Sequence, residues 1–571
     1  MNLNLKATAQ NTYDTIVVGT GISGGWAMKE LTQKGLNVLA LERGRLVEHV
    51  TDYPTTMLKP WETAHRGEMP PEDKTANPVV NRCYAYNENT QHFFVKDQDH
   101  PYIQDKPFDW IRGYQVGGKS LLWARWTQRW GEHDFEANAR EGIGVDWPIR
   151  YKDLAPWYSY VERFAGISGN KDSLPQVPDG EFLPPMEMNC LEKHVKGQLD
   201  AKYQGRHLII SRTANLSDAA PQQQAVGRGS CQYRNLCARG CPFGAAFSTN
   251  AATLPAARAT GRLTLRPDSV VHSIIYDEQK KKATGVRVVD AKTKEMTEYF
   301  AKIIFVNAST VNTNLILQNS TSSRFPNGLG NDSGVLGHFV MAHNYRVSGS
   351  GSYEGFEDQY YFGRRPTGIY IPRYRNFGSD KQTTFLRGYS HAGGAGRASW
   401  GRGNGMPGFG AELKNSLIKP GIWSFSINAM GEMLPYEDNR IWLDKTRKDQ
   451  WGMPLVHINV EWKENEDAMS RDAVVQIQEM LEAVGLKNVS ARDNHQNPGL
   501  DIHEMGGCRM GRDPKTSMLN GFNQMHAVKN VFVTDGASMV STACQNPSIT
   551  YMALTARAAD YAVKELKKGN V

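Results

Sequence analysis

An α/β fold is predicted by three features of the 571-residue sequence. A β-branched run breaks into a glycine turn and a helical pattern near the N-terminus, turn-separated strands fill part of the middle, and a short strand feeds a helix near the C-terminus. The length asks for several units or one enzyme with a large core. Charged, apolar and aromatic shares of 22%, 40% and 10% belong to an ordinary globular chain and exclude disorder and collagen-like repetition. No run reaches the ~18 apolar residues of a membrane helix, and stretches such as Ile303–Val306 are strand-sized. The opening MNLNLKATAQNTYD has neither the apolar core nor the cleavage site of a secretory leader. With 66 basic against 59 acidic residues, the net charge of +7 is modest and no dense basic block stands out, so nucleic acid is not an expected partner.

Taken in order, YDTIVV (13–18) reads as a strand, GTGISG supplies Gly19, Gly21 and Gly24, a helical pattern follows through Leu31, and NVLALE forms a second strand ending at Glu42. That context turns a weak glycine motif into a specific one. Gly19 permits the tight turn, Gly21 lets the backbone approach a pyrophosphate, Gly24 lets helix and strand pack, and the helix start offers free N–H groups to an anion. Glu42 is placed to accept hydrogen bonds from a ribose. This Rossmann-like unit is expected to bind a dinucleotide, and the motif leaves NAD and FAD both open.

Residues RGYQVGGKS (112–120) place Gly117 and Gly118 before a helix expected to open at Ser120, a second close backbone approach to a cofactor. In the middle, LTLRPDSVVHSIIYD, ATGVRVVD and FAKIIFVNAS read as successive strands. VFVTDGAS (531–538) runs a short strand into Asp535 and Gly536, with a helical periodicity from about Ile549. An aspartate-glycine pair at that position can hold the ribityl and phosphate part of a flavin. HAGGAGRASWGRGNGMPGFG, from His391, reads as a mobile loop over the site or a disordered surface loop.

With GTGISG and Glu42, RGYQVGGKSLLW, HEMGGCRMG (503–511) and VTDGASMVSTACQNPSIT (533–550) in this order, the sequence resembles the glucose-methanol-choline (GMC) oxidoreductase family over nearly its whole length. The resemblance implies a FAD-binding domain interleaved with an α+β substrate domain. The first would comprise 1–130, 205–345 and 495–571; the second, 131–204 and 346–494. It places Val270 or Val271 near the adenosine end of the flavin and the catalytic base at His503, with Asn546 as its partner. An alcohol gives up a hydride readily only as its hydroxyl proton leaves, so a base of near-neutral pKa within reach of that hydroxyl contributes about 10²–10⁴-fold. Asn546 would orient the same oxygen and stabilise its developing charge while flavin accepts the hydride. Leu121–Gln128 contains no histidine to attach the flavin, so FAD is expected to be non-covalent. Trp110, Trp123, Trp126 and Trp130 are read as core before sugar stacking, and Cys508 and Cys544 as packing.

Seven cysteines are too few for a disulfide scaffold, yet Cys231, Cys237 and Cys241 fall within eleven residues. Gly240 and Pro242 favour a loop, here 228–245, over a helix. Converging thiolates suit a soft metal centre; three are awkward for zinc and for four-cysteine clusters, and free thiols, or a disulfide plus one free thiol, are the plain alternatives. The x5, x3 spacing resembles that of catalytic subunits of bacterial FAD-dependent sugar dehydrogenases, which implies a 3Fe-4S cluster on these residues. The same resemblance implies oxidation of a secondary hydroxyl, C3 favoured, of a glucoside or related sugar, with electrons passed to a c-type cytochrome subunit. A small export or chaperone-like subunit would carry the chain to the periplasm, membrane association arising only through partners. The alternatives are an oxygen-using pyranose-type oxidase, which could be cytoplasmic, and a gluconate 2-dehydrogenase or glucose 1-dehydrogenase.

Overall fold

The computed structural model describes residues 11–359 and 365–571, so the stretch MNLNLKATAQ, read above for a leader, lies outside the described residues. A seven-stranded sheet forms the first layer. Leu263–Arg266, Val38–Leu41, Thr12–Val18 and Met296–Val306 run parallel in that order, and Val531–Val533 pairs parallel with the end of Met296–Val306. Lys282–Asp290 and Ser269–Asp277 extend the sheet antiparallel from the start of the same long strand. Strands of a parallel sheet are covered on both faces, which is why Ile16, Val17, Leu39, Ile303, Ile304 and Phe305 are all fully buried.

Helix Ile22–Gln33 follows the glycine turn and is buried from Ser23 to Thr32, so it lacks a polar face. Helix Ser548–Lys567 packs on it and on helix Tyr151–Ala165. Even the charges on Ile22–Gln33 are paired: Lys29 Nζ lies 2.8 Å from Glu30 Oε1, and the Tyr160 hydroxyl donates to the same carboxylate. Among the described residues no helix is long and apolar enough to cross a membrane.

The second layer is a six-stranded antiparallel sheet in the order Lys487–Asp493, Asn344–Tyr353, Trp423–Gly431, Tyr389–Arg397, Ile369–Ile371, Ile209–Ile210. Helix Glu464–Ala483 covers one face through Met469, Ile477 and Met480. Strand Tyr389–Arg397 corrects the reading of a loop from His391. Its run of small residues hides the two-residue period, and a Cβ at Gly393 would lie 2.0 Å from the Ser426 carbonyl oxygen, so glycine there serves close pairing of strands. The helix expected at Ser120 is a single 3-10 turn, Gly118–Leu121.

Candidate active site

The C-terminal ends of the parallel strands open into one cavity of about 700 Å³, reached by Gly19, Glu42, Asn307 and Asp535 from four different strands. Three helices begin at its wall: Ile22–Gln33, Thr310–Asn319 and Ser548–Lys567. None has an acidic residue in its first turn, so three sets of unpaired N–H groups favour an anion there.

The cavity brings together Gly19, Gly21, Glu42, Gly118, Ser120, Val271, Asp535, Gly536, His503 and Asn546. Gly24 and Gly117 stand behind its wall. A Cβ at Gly24 would fall 1.9 Å from the Gly19 carbonyl oxygen, and one at Gly117 would fall 1.8 Å from Asn250 Oδ1. Gly21 is open on its outer side and faces Gly118, where an added Cβ would come within 3.3 Å of the Gly21 Cα. This leaves a cradle between two glycine turns. Glu42 Oε2 accepts from the Thr20 N–H (3.1 Å) and hydroxyl (2.6 Å), and burial raises its pKa. Asp535 accepts from the Thr313 hydroxyl at 2.6 Å, and burial lifts it to about 6. Arg112 also lines the cavity; Nη1 donates to the His100 carbonyl, while Nε and Nη2 are buried without a partner. Orphaned guanidinium donors, an open glycine cradle and three helix starts fit an acceptor-rich dinucleotide such as FAD.

In the same cavity His503 Nε2 lies 3.4 Å from Asn546 Nδ2. His503 Nδ1 lies 2.9 Å from His343 Nδ1, and the Asp501 carboxylate accepts the backbone N–H groups of both His343 (2.8 Å) and His503 (3.2 Å). Burial, His343 and Lys119 hold the His503 pKa well below the usual imidazole value, so the ring is neutral and keeps one nitrogen free to accept a proton. Asn546 Oδ1 is buried without a partner. Among the described residues, His343, Asp501 and His503 are the set whose ligand atoms lie within 4.8 Å of one another. Hydrogen bonds within the set account for that approach.

Trp130 is core as read; Trp110 is buried in the core and also borders the cavity, and Trp123 and Trp126 are only partly buried and line it. Cys508 and Cys544 are buried, and neither lines it. Thr20 and Arg112 join the wall from within the two glycine motifs though neither was singled out, and Tyr345 and Asn428 join it without any motif to announce them.

The cysteine loop runs beneath Thr56, whose hydroxyl donates to the Gly240 carbonyl. Cys231, Cys237 and Cys241 are unpaired and partly buried. Burial raises the Cys231 thiol to about 11, with Cys237 and Cys241 adding to the shift. Burial also raises Cys237, against the opposing charge of Arg125. A single tetrahedral ion with metal–sulfur bonds of about 2.3 Å needs sulfurs about 3.8 Å apart. The three thiols are not a set within 4.8 Å, so they do not fit one ion. Arg125 and Arg228 are buried beside them, bonded to backbone carbonyls and, among the described residues, to no carboxylate. The acidic groups nearest in effect are the thiols themselves. Two uncompensated buried cations beside three separated thiols fit an anionic multi-iron centre.

The GMC oxidoreductase family model matches residues 13–338 with its N-terminal part and 435–555 with its C-terminal part. The chain belongs to the GMC oxidoreductase family. As a GMC oxidoreductase it acts on the CH–OH group of its donor, and the family binds FAD. It is 28% identical over 97% of its length to 2-methyl-1,2-propanediol dehydrogenase of Mycolicibacterium austroafricanum, covering 96% of that protein. It is 26% identical over 97% of its length to the fructose dehydrogenase large subunit of Gluconobacter japonicus, covering 98% of that chain. Among solved structures, formate oxidase of Aspergillus oryzae RIB40 superposes over 98% of this chain and 99% of its own, with a TM-score of 0.61 at 13% identity, which bears on the fold alone.

Proposed function

We propose that this GMC oxidoreductase is a FAD-dependent dehydrogenase that converts a secondary hydroxyl of a glucoside or related sugar, C3 by preference, to the ketone. In this reading a 3Fe-4S cluster on Cys231, Cys237 and Cys241 leads electrons toward a c-type cytochrome, and a small partner subunit takes the chain to the periplasm. The carrying observation is a neutral His503 whose Nε2 sits beside the Asn546 amide in the cavity that the glycine turns line. The relative named as a fructose dehydrogenase large subunit supports the sugar and the partner.

Bound FAD, held non-covalently by Gly19, Gly21, Glu42, Gly118, Ser120, Val271, Asp535 and Gly536, supplies the hydride acceptor. The chain's residues handle the proton. His503 Nε2 takes the hydroxyl hydrogen, and an amide hydrogen of Asn546 donates to the oxygen as charge builds there. Asn546 Oδ1, buried without a partner, accepts from a second hydroxyl, which a polyol has and a simple alcohol lacks. The apolar wall that includes Trp123, Trp126 and Leu500 excludes water from the reacting oxygen.

A small diol is the second reading, favoured by the similarity to 2-methyl-1,2-propanediol dehydrogenase. A dye-linked screen over glucose, fructose, gluconate, aryl glucosides and 2-methyl-1,2-propanediol, with product position read by NMR, tests both. Turnover of the diol alone refutes the sugar reading. A pure flavin spectrum with rapid oxygen turnover and no iron refutes the cluster route.

A further inference from the structure

The strongest unassigned feature is a buried histidine that touches the proposed base but stays outside the cavity. His343 is fully buried, while His503 faces the open space. An antiparallel bridge fixes their meeting: Met341 and Met505 exchange N–H···O bonds of 2.8 and 2.9 Å, so two residues outward from that pair His343 stands opposite His503. The Asp501 carboxylate then accepts both backbone N–H groups and ties the two segments together. They meet almost at right angles, 87° between planes.

Hydrogen-bond chemistry dictates where the protons sit. His343 Nε2 is 3.1 Å from the Thr542 carbonyl oxygen and 3.0 Å from that of Ala543. Carbonyls only accept, so this nitrogen carries a hydrogen. Burial holds His343 near a pKa of about 4, so its ring is neutral and Nδ1 is a bare lone pair. The 2.9 Å contact between the two Nδ1 atoms therefore needs its hydrogen on His503. A neutral His503 protonated at Nδ1 has a bare Nε2, the atom beside Asn546.

We infer that His343 is a positioning residue that fixes the tautomer of His503, passing the direction of the Thr542 and Ala543 carbonyls through two imidazoles so that the lone pair faces the donor. The inference rests on the reading of His503 as the base. Without an acceptor at His343, the Nε2–H tautomer of His503, which cannot take a proton at that atom, competes with the useful one.

Histidine-selective ¹⁵N labelling of the FAD-loaded full chain reads the tautomers directly: His503 is expected to be protonated at Nδ1 and bare at Nε2, His343 the reverse. Stopped-flow reduction of the flavin by glucose, fructose or 2-methyl-1,2-propanediol gives the consequence. His343→Leu is expected to slow reduction about 100-fold at saturating donor with KM little changed. His343→Gln, which can accept from Nδ1 and donate to the carbonyls, is expected to stay within about tenfold of the wild type. A spectrum showing Nε2–H on His503, or a FAD-loaded H343L chain reducing at the wild-type rate while H503A is inactive, overturns the inference alone. Wild-type turnover by H503A overturns the base reading and the role of His343 with it. Should H343L fail to fold or load FAD, the tautomer spectrum of the wild type decides.

Discussion

Lys119 and Glu504 form an ion pair in the cavity wall, Nζ to Oε2 3.1 Å, with the Glu504 side chain 3% exposed and that of Lys119 26% exposed. Glu504 follows His503 in the chain, and the Lys119 charge depresses the His503 pKa. Lys119→Met strands a buried carboxylate and should cost about 2 kcal/mol, less than a fully buried pair because the lysine is partly solvated. It also removes a cation facing His503, so protonation of this proposed base becomes easier and the acid limb of the flavin-reduction pH profile moves to higher pH. Thermal melts and that profile check both effects, and K119M/E504Q should recover the melt.

Asp501 provides a second pH signature. Burial lifts its carboxyl from the ordinary 3.8 to about 7, with Glu504 adding and the His343 and His503 backbone N–H groups opposing. Between those values the folded chain holds a proton that the unfolded chain has released. The stability tied to this group is therefore complete below about 3.8 and is lost as pH rises through about 7. Asp501→Asn keeps an acceptor oxygen for the backbone and removes the titration. Its melting temperature should fall less than that of the wild type between about pH 5 and 8.

Two glycines respond in opposite directions to alanine. At Gly24 the new Cβ would press on the Gly19 carbonyl oxygen at 1.9 Å, so Gly24→Ala should separate helix from strand and yield a chain that does not retain FAD on gel filtration. Gly197 lies exposed in helix Cys190–Lys202 with nothing within 4 Å of an added Cβ. Gly197→Ala should raise stability by roughly 0.5–1 kcal/mol in urea unfolding, because the unfolded chain loses freedom that the helix never used.

The cysteine loop predicts metal content. Under the proposed cluster, purified chain carries about three irons per flavin. Cys237→Ser should remove most of the iron while leaving the flavin spectrum, since the loop is separate from the glycine cradle. Iron assay and electron paramagnetic resonance check this. An iron-free wild type prepared anaerobically excludes the cluster.

What the sequence revealed of the site lies in local runs. GTGISG with Glu42 and VTDGAS each sit at the end of one strand and start of one turn, so their residue types carry their geometry. His343 is legible only once Met341 is known to pair with Met505, an isolated bridge between segments far apart in the chain. Trp110, Trp123 and Trp126 border the cavity while Trp130 does not, and no period in the irregular segment around them encodes it. The strand Tyr389–Arg397 is hidden because close sheet packing selects glycine where β-propensity would ask for branched side chains.

The long strand Met296–Val306 receives its last parallel neighbour, Val531–Val533, only from the final stretch of chain, and Asn546 follows still later. During synthesis the glycine turn, the first helix and the two N-terminal strands therefore leave the ribosome hundreds of residues before the segment that completes their sheet. A nascent chain can shape part of the glycine cradle early, yet it lacks the proposed base and its partner amide until His503 and Asn546 have been made. If His503 and Asn546 act as proposed, redox chemistry is withheld from chains that stop before Asn546.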